Sequence, residues 1–339
     1  MPGADMGIDL GTSNTLIYLS GKGIMLNEPS VIAVDQMTDE VIAMGREAYA
    51  MIGRTSDRVR VFSPVENGVI SDYEYTYQML TSFMNHVSNN ALFNPRVVLC
   101  IPGKTTEVER RAAVDAVRKA GTRRICLLDE AVASALGAGL DITGLAGCAV
   151  VDIGGGTVDM AVMSLGGISV SRSATCAGDA LDHALIQYLR SEKCIWIGKR
   201  MAQQAKEAIG CAIATEDRTF TVRGRNVLNG LPTAFTVHSA DMEAAYAPVL
   251  SELIAEVTDM LEHTPPELLG DLMESGVMLT GGGALLDGID RLLSESTHLR
   301  FIRAEKPLEC VAIGAGKALK YLDVTEMPNG ISVNPLTEV

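Results

Sequence analysis

One short pattern occurs twice and constrains the chain more than anything else in it. Asp9-Leu-Gly-Thr-Ser-Asn-Thr15 and Asp152-Ile-Gly-Gly-Gly-Thr-Val-Asp159 share an order: an acid, an apolar residue, glycine, then a hydroxyl residue. Each copy lies between two strand-like segments, Met6–Leu10 and Thr15–Leu19 for the first, Cys148–Asp152 and Val158–Val162 for the second. The copies stand nearly half the chain apart. A strand–loop–strand unit repeated at that distance predicts two related α/β domains facing each other.

The chain of 339 residues is long enough for two domains, each with its own core. A hydrophobic fraction of 47% and a charged fraction of 21% fit a globular protein and not a disordered one. The net charge of −14, from 28 basic and 42 acidic residues, argues against nucleic acid as the main partner. It also argues against purely electrostatic attachment to an anionic membrane. A nucleotide stays compatible with this charge, because backbone N–H groups and a divalent metal can meet its phosphates. The seven cysteines form no CxxC pair and sit on apolar stretches, which reads as core packing in a reducing, cytoplasmic compartment. The opening residues MPGADM lack the pattern of a signal peptide, and no apolar run approaches the ~20 residues that span a bilayer.

The rest of the chain alternates strand and helix signals. Ser30–Val34 and Val41–Met44 flank Thr38-Asp39-Glu40 as a hairpin would. Arg96–Ile101 reads as a buried strand. Thr106 and Glu109 then form a capping box, and Gly121 stops the helix. On that helix Glu107–Arg111 and Asp115–Lys119 are i,i+4 pairs. Thr219–Arg223 and Thr233–His238 suggest a second hairpin, and a long helix covers about Asp241–His263. Gly276–Thr280 is a strand running into Gly281-Gly282-Gly283, with a helix marked by Leu285, Leu286, Ile289, Leu292 and Leu293 behind it. From about Val324 the residues carry Pro328, Gly330 and Pro335 without a pattern and read as a loose tail.

A phosphate needs several donors converging on it, and glycines let the backbone approach closely. Gly11, Thr12, Ser13 and Asn14 can cradle phosphate in one half, and Gly154, Gly155, Gly156 and Thr157 in the other. Asp9 and Asp152, each ending a strand, can hold Mg²⁺ through water. A single glycine-rich turn by itself reads more readily as a plain hairpin; two matching turns and the third at Gly281–Gly283 carry the argument. The third turn can sit under a nucleoside at a helix N-terminus. Neither loop is a P-loop or a dinucleotide-binding fingerprint.

MGIDLGTSNT, VVDIGGGTVD and LTGGGALL resemble the two phosphate loops and the adenosine motif of the actin, DnaK-type chaperone and sugar kinase superfamily. KGIMLNEPSVIAV, VERRAAVDAVRKAG, AGDALDHALIQYLR and TPPELLGDLMESGVMLTGGGALLDGIDRLL narrow this, being similar to the MreB family of bacterial actin-like proteins over about residues 6–322. The resemblance implies an actin-like ATPase fold of two α/β domains, each with a smaller subdomain, and nucleotide in the cleft between them. It divides the chain into a first large subdomain (1–32, 66–146 and about 312–323), a small one (33–65), a second large one (147–178 and about 247–311), a small one (179–246) and the tail 324–339. It implies ATP and Mg²⁺ as cofactors, with Gly281, Gly282, Gly283 and Ala284 on the adenosine side.

Glu130, in Leu127-Leu128-Asp129-Glu130-Ala131, matches the family's glutamate that orients the attacking water, and Thr157 can help hold that water or the γ-phosphate. Ala131 stands where the family usually has proline, and Gln203 where it usually has an acid three residues before Lys206. Gln203 and Lys206 are the expected adenine-side contacts, the first without a charge-assisted bond. Leu92 and Phe93, within Asn90–Asn94, resemble a membrane-touching apolar loop; their alternative is to pack inward. The implied function is a slow ATPase forming head-to-tail filaments at the inner face of the cell membrane, with itself and cell-wall synthesis proteins as partners. Plasmid- or organelle-positioning filaments are the nearest alternative. A small-molecule kinase needs an acceptor pocket for which the chain has no spare segment, and a chaperone needs a peptide-binding domain.

Overall fold

The structure, a computed structural model, describes residues 5–88 and 94–322 and the backbone of Thr337–Glu338. Two mixed sheets dominate it, and they share one topology. In the first, Met6–Leu10 pairs antiparallel with Asn14–Leu19, which pairs antiparallel with Gly23–Pro29. On its other side Met6–Leu10 runs parallel to Arg96–Ile101, and that strand parallel to Arg124–Asp129. In the second sheet Cys148–Ile153, Val158–Ser164 and Gly167–Ala174 form the antiparallel meander, and Val277–Thr280 and Phe301–Arg303 the parallel side. The repeated motif therefore reports two α/β domains of the same build, as the sequence predicted.

The central strands are apolar because both faces are covered. Met6, Ile8 and Leu10 are buried in one, and Ala149, Val150, Val151 and Ile153 in the other. Each domain carries a small lobe. In the first, Ile32–Asp35 lies between Val41–Met44 and Val59–Phe62, backed by the helix Arg46–Met51 over a core of Val31, Ala33 and Ala48. In the second, Thr219–Asn226 lies between Ile195–Trp196 and Pro232–His238, with the helix Lys199–Ile209 against it. The long helix spans Ser239–Glu262.

The domains are joined through the helices Glu130–Ala138 and Cys310–Ala318. These cross so closely that a Cβ on Gly314 would strike the Ala133 carbonyl. The core under them takes Val98, Cys100, Cys126 and Leu128 from one sheet and Val150, Ala161 and Met163 from the other. All seven cysteines are free, five of them buried. Among the described residues no helix is long and apolar enough to cross a membrane.

Three local expectations need correction. The helix Glu107–Lys119 has its Thr106–Glu109 capping box, with Glu109 N–H donating to Thr106 Oγ1 at 3.3 Å and Thr106 N–H to Glu109 Oε2 at 2.8 Å. Its ion pairs, however, are i,i+3: Arg110 with Glu107 and Arg118 with Asp115. Lys119 instead crosses to Glu74 on a neighbouring helix at 2.9 Å and lies over the Tyr77 ring, because a tertiary partner offers both charge and an aromatic face. After Val277–Thr280 the chain makes a short 3₁₀ turn, Gly282–Leu285, and the α-helix starts only at Ile289, since Gly288 takes a left-handed conformation between them. Of the final stretch, Thr337–Glu338 pairs antiparallel with Leu127 and Cys126.

Candidate functional site

The two repeated loops meet. A Cβ on Gly155 would occupy the position of the Ser13 hydroxyl, and one on Gly156 would strike Thr12 Oγ1. Only glycine permits that approach. The first loop is held from behind: the Ser30 hydroxyl donates to the Gly11 carbonyl at 2.6 Å, Ser30 N–H to the Ser13 carbonyl at 2.9 Å, and Thr12 Oγ1 accepts from Gly68 N–H at 2.9 Å. The second is held at Gly154, whose N–H donates to the Thr157 carbonyl at 2.8 Å, and at the Gly154 and Gly155 carbonyls, which accept from Gly178 and Asp179 N–H at 3.1 and 2.7 Å. These bonds use carbonyls and leave donors free. The N–H groups of Thr12, Ser13, Gly155 and Gly156 meet no acceptor among the described residues. Unpaired N–H groups in two apposed loops can receive an anion.

Carboxylates lie beside these loops. Asp9 and Asp152 end the equivalent central strands, and Glu130 opens the helix after Arg124–Asp129. Burial pushes the Asp9 carboxyl up to about 7. Burial also holds Glu130 and Asp152 well above the usual carboxylate range, helped for Glu130 by the charges of Asp159, Asp9, Asp152 and Asp129. Loss of hydration on burial is the main physical reason, and for Glu130 and Asp152 repulsion from the neighbouring carboxylates adds to it. The Thr280 hydroxyl beside Asp152 opposes this only weakly. Neither Asp152 Oδ1 nor Thr280 Oγ1 has a partner of hydrogen-bond geometry among the described residues.

Asp159 and Asp129 belong to this cluster and were not singled out in the sequence. Asp159 sits directly across the hairpin from Asp152 and accepts Gly103 N–H at 3.1 Å; burial raises its carboxyl. Asp129 caps the Glu130 helix through Ala131 N–H at 2.9 Å, and burial followed by the Asp159 charge raises it to about 6. The signal for Asp159 was present: it closes the second loop motif, where the first has Leu16 in the matching register.

The third glycine turn packs on the same strand. No Cβ fits at Gly281 or Gly283 without striking Ile153, and Ala284 is buried behind them. Gln203 and Lys206 stand on the helix Lys199–Ile209 with protein partners. Gln203 Oε1 accepts from the Tyr49 hydroxyl at 2.9 Å, and its Nε2 donates to Glu207 at 2.9 Å. Lys206 donates to the Gly178 carbonyl at 2.7 Å and pairs with Asp182 at 2.9 Å. Leu92 and Phe93 lie outside the described residues.

Oxygen donors of this hardness suit Mg²⁺, and the unpartnered Asp152 Oδ1 and the excess of buried negative charge fit a divalent cation. No three His, Cys, Asp or Glu side chains among the described residues converge as a ready-made metal site. Water and phosphate would therefore supply most ligands.

Two domains of one topology, closing two phosphate-loop motifs on a carboxylate-lined cleft, define an actin-like nucleotide-binding protein. The chain belongs to the MreB/Mbl protein family, whose pattern it matches over residues 3–327. It is 44% identical to the cell shape-determining protein MreB of Escherichia coli K12 over 327 residues, 94% of each chain. Among solved structures it is similar to MreB5 of Spiroplasma citri bound to ADP, at a TM-score of 0.89 and 36% identity over 93% of this chain and 97% of that one. The same protein bound to AMPPNP gives 0.88 and 35%, over 94% and 96%. A likeness to the MamK double helical filament, at 0.79 and 18% over 95% and 99%, shows the shared fold.

Proposed function

We propose that this protein is an ATP-dependent cytoskeletal protein that hydrolyses ATP slowly, assembles head to tail and supports rod shape by organising cell-wall synthesis at the membrane. The observation that carries the reading is the meeting of Ser13 and Gly155, in the loops that follow Asp9 and Asp152, with Glu130 in the same cluster of buried carboxylates, in a family whose member MreB5 binds ADP and AMPPNP.

The free N–H groups of Thr12, Ser13, Gly155 and Gly156 would receive phosphate oxygens. Asp9 and Asp152 would hold Mg²⁺ through water. A bound Mg²⁺ neutralises phosphate charge and lowers the carboxyls around it into their ionised form. Glu130, ionised, accepts a hydrogen bond from the attacking water and orients it. Thr157, whose hydroxyl lies against Asp159, presents its loop to the terminal phosphate. The turn Gly281–Ala284 would lie on the nucleoside side.

Membrane attachment through Leu92 and Phe93 belongs to the same reading. Two apolar side chains inserted per subunit give ~1.5–3 kcal/mol each when fully buried. A filament multiplies this.

The test is phosphate release from purified protein in MgATP with no acceptor, followed by electron microscopy with and without lipid vesicles. Release together with filaments supports the reading. A kinase would consume ATP only when an acceptor is added, passing the phosphoryl group to that acceptor and not to water, and absence of both release and polymer overturns the proposal.

A further inference from the structure

The two domains touch at the phosphate loops and again at the far ends of their small lobes. There the Tyr49 hydroxyl, on the helix Arg46–Met51, donates to Gln203 Oε1 at 2.9 Å. Arg200 reinforces the contact: its Nη1 donates to the Ala50 carbonyl at 3.2 Å, and its guanidinium lies 5.4 Å from the centre of the Tyr49 ring.

The helix that receives Tyr49 is wired to the second phosphate loop. Gln203 and Lys206 are three residues apart on Lys199–Ile209 and so share a face. Lys206 grips the Gly178 carbonyl, and Asp182, almost fully buried, fixes the ammonium. Gly178 and Asp179 N–H in turn hold the carbonyls of Gly154 and Gly155. A pull at Tyr49 therefore reaches the loop through one rigid helix and four hydrogen bonds.

We propose that Tyr49 is a positioning residue. Its hydrogen bond to Gln203 latches the mouth of the cleft over a bound nucleoside di- or triphosphate, holds the Gly154–Gly156 loop in place, and sets the rate at which nucleotide leaves. The proposal rests on the cleft being the nucleotide site. It assigns Gln203 to the latch and not to the base. Neither partner is charged, so the latch resists salt, unlike an ion pair at the same place.

The test uses the full chain loaded with N-methylanthraniloyl-ADP and chased with excess ADP in a stopped-flow instrument. Tyr49→Phe keeps the ring and its packing and removes the donor. Loss of one neutral hydrogen bond should speed release roughly 2- to 10-fold, with the melting temperature unchanged. Gln203→Leu should do the same, and the double variant should release no faster than the faster single one. Release at the parent rate in Tyr49→Phe overturns the proposal. So do single effects that multiply, because Gln203 would then act on the nucleotide independently. Hydrogen–deuterium exchange without nucleotide supplies a second readout, in which the amides of residues 46–52 should exchange faster in Tyr49→Phe. A parent that binds no labelled ADP would defeat the nucleotide reading, and unchanged exchange at 46–52 would separately defeat the latch.

Discussion

Ser13 and Gly155 face each other across the domain boundary with no room for a methyl group between them. Each belongs to a loop with N–H groups that meet no acceptor among the described residues, so their separation would set the width of the proposed phosphate cradle. Gly155→Ala should force the loops apart and lower nucleotide affinity by at least ~5-fold, in line with the ~1–3 kcal/mol typical of overpacking. Ser13→Gly in the same chain should restore part of it by removing the side chain that the new methyl meets. Titration calorimetry with MgADP checks both, and a single variant that binds like the parent contradicts the proposed cradle.

Glu130 stands at the first position of its helix, buried among four other carboxylates. Glu130→Ala should leave MgATP binding largely intact and slow phosphate release by ~10²-fold or more if it positions the water. Filaments should then persist longer in turbidity or sedimentation assays. Phosphate release at the parent rate would remove Glu130 from the mechanism.

The carboxylate cluster also makes stability depend on pH. Asp9 ionises at about 7 in the folded chain against an ordinary 3.8, and Asp129 at about 6. The folded state therefore holds these protons more tightly than the unfolded state does. The stability they contribute is fully present below the ordinary value and is lost as pH rises through about 6 to 7. Without nucleotide or metal, the melting temperature should fall between about pH 5.5 and about pH 8. Asp9→Asn should flatten that slope. Mg²⁺ should raise the melting temperature more at the alkaline end, and chelation should reverse the gain. An unchanged melting temperature across this range in the parent would show that the carboxyls titrate normally.

For the membrane, the double change Leu92→Ser and Phe93→Ser should abolish co-sedimentation with vesicles in ATP while sparing assembly in solution. If, as proposed, apolar insertion supplies the energy, binding by the parent should depend little on salt. Vesicle binding equal to the parent's would show that another segment is the anchor. A double variant that fails to fold would show that both side chains are core.

Much of this protein is legible in its sequence. The two strand–loop–strand motifs are local patterns, and each predicts a tight turn with an acid at its mouth whatever lies around it. Their repetition implied two domains of one build, and the paired sheets bear that out. The Thr106–Glu109 cap and the hairpin around Asp39 are equally local, since the partners lie within a few residues. Glu130 was placed only through a motif match, because an acid at a helix start is chemically unremarkable until other charges surround it. Tertiary structure decided the rest. It brought Asp159 and Asp129 into the cluster, drew Lys119 away from its own helix to Glu74, and gave Gln203 a partner on the other domain. Tyr49 and Gln203 lie far apart in sequence, with no periodicity linking them. Their contact joins the two small lobes, a tertiary packing that no local pattern encodes.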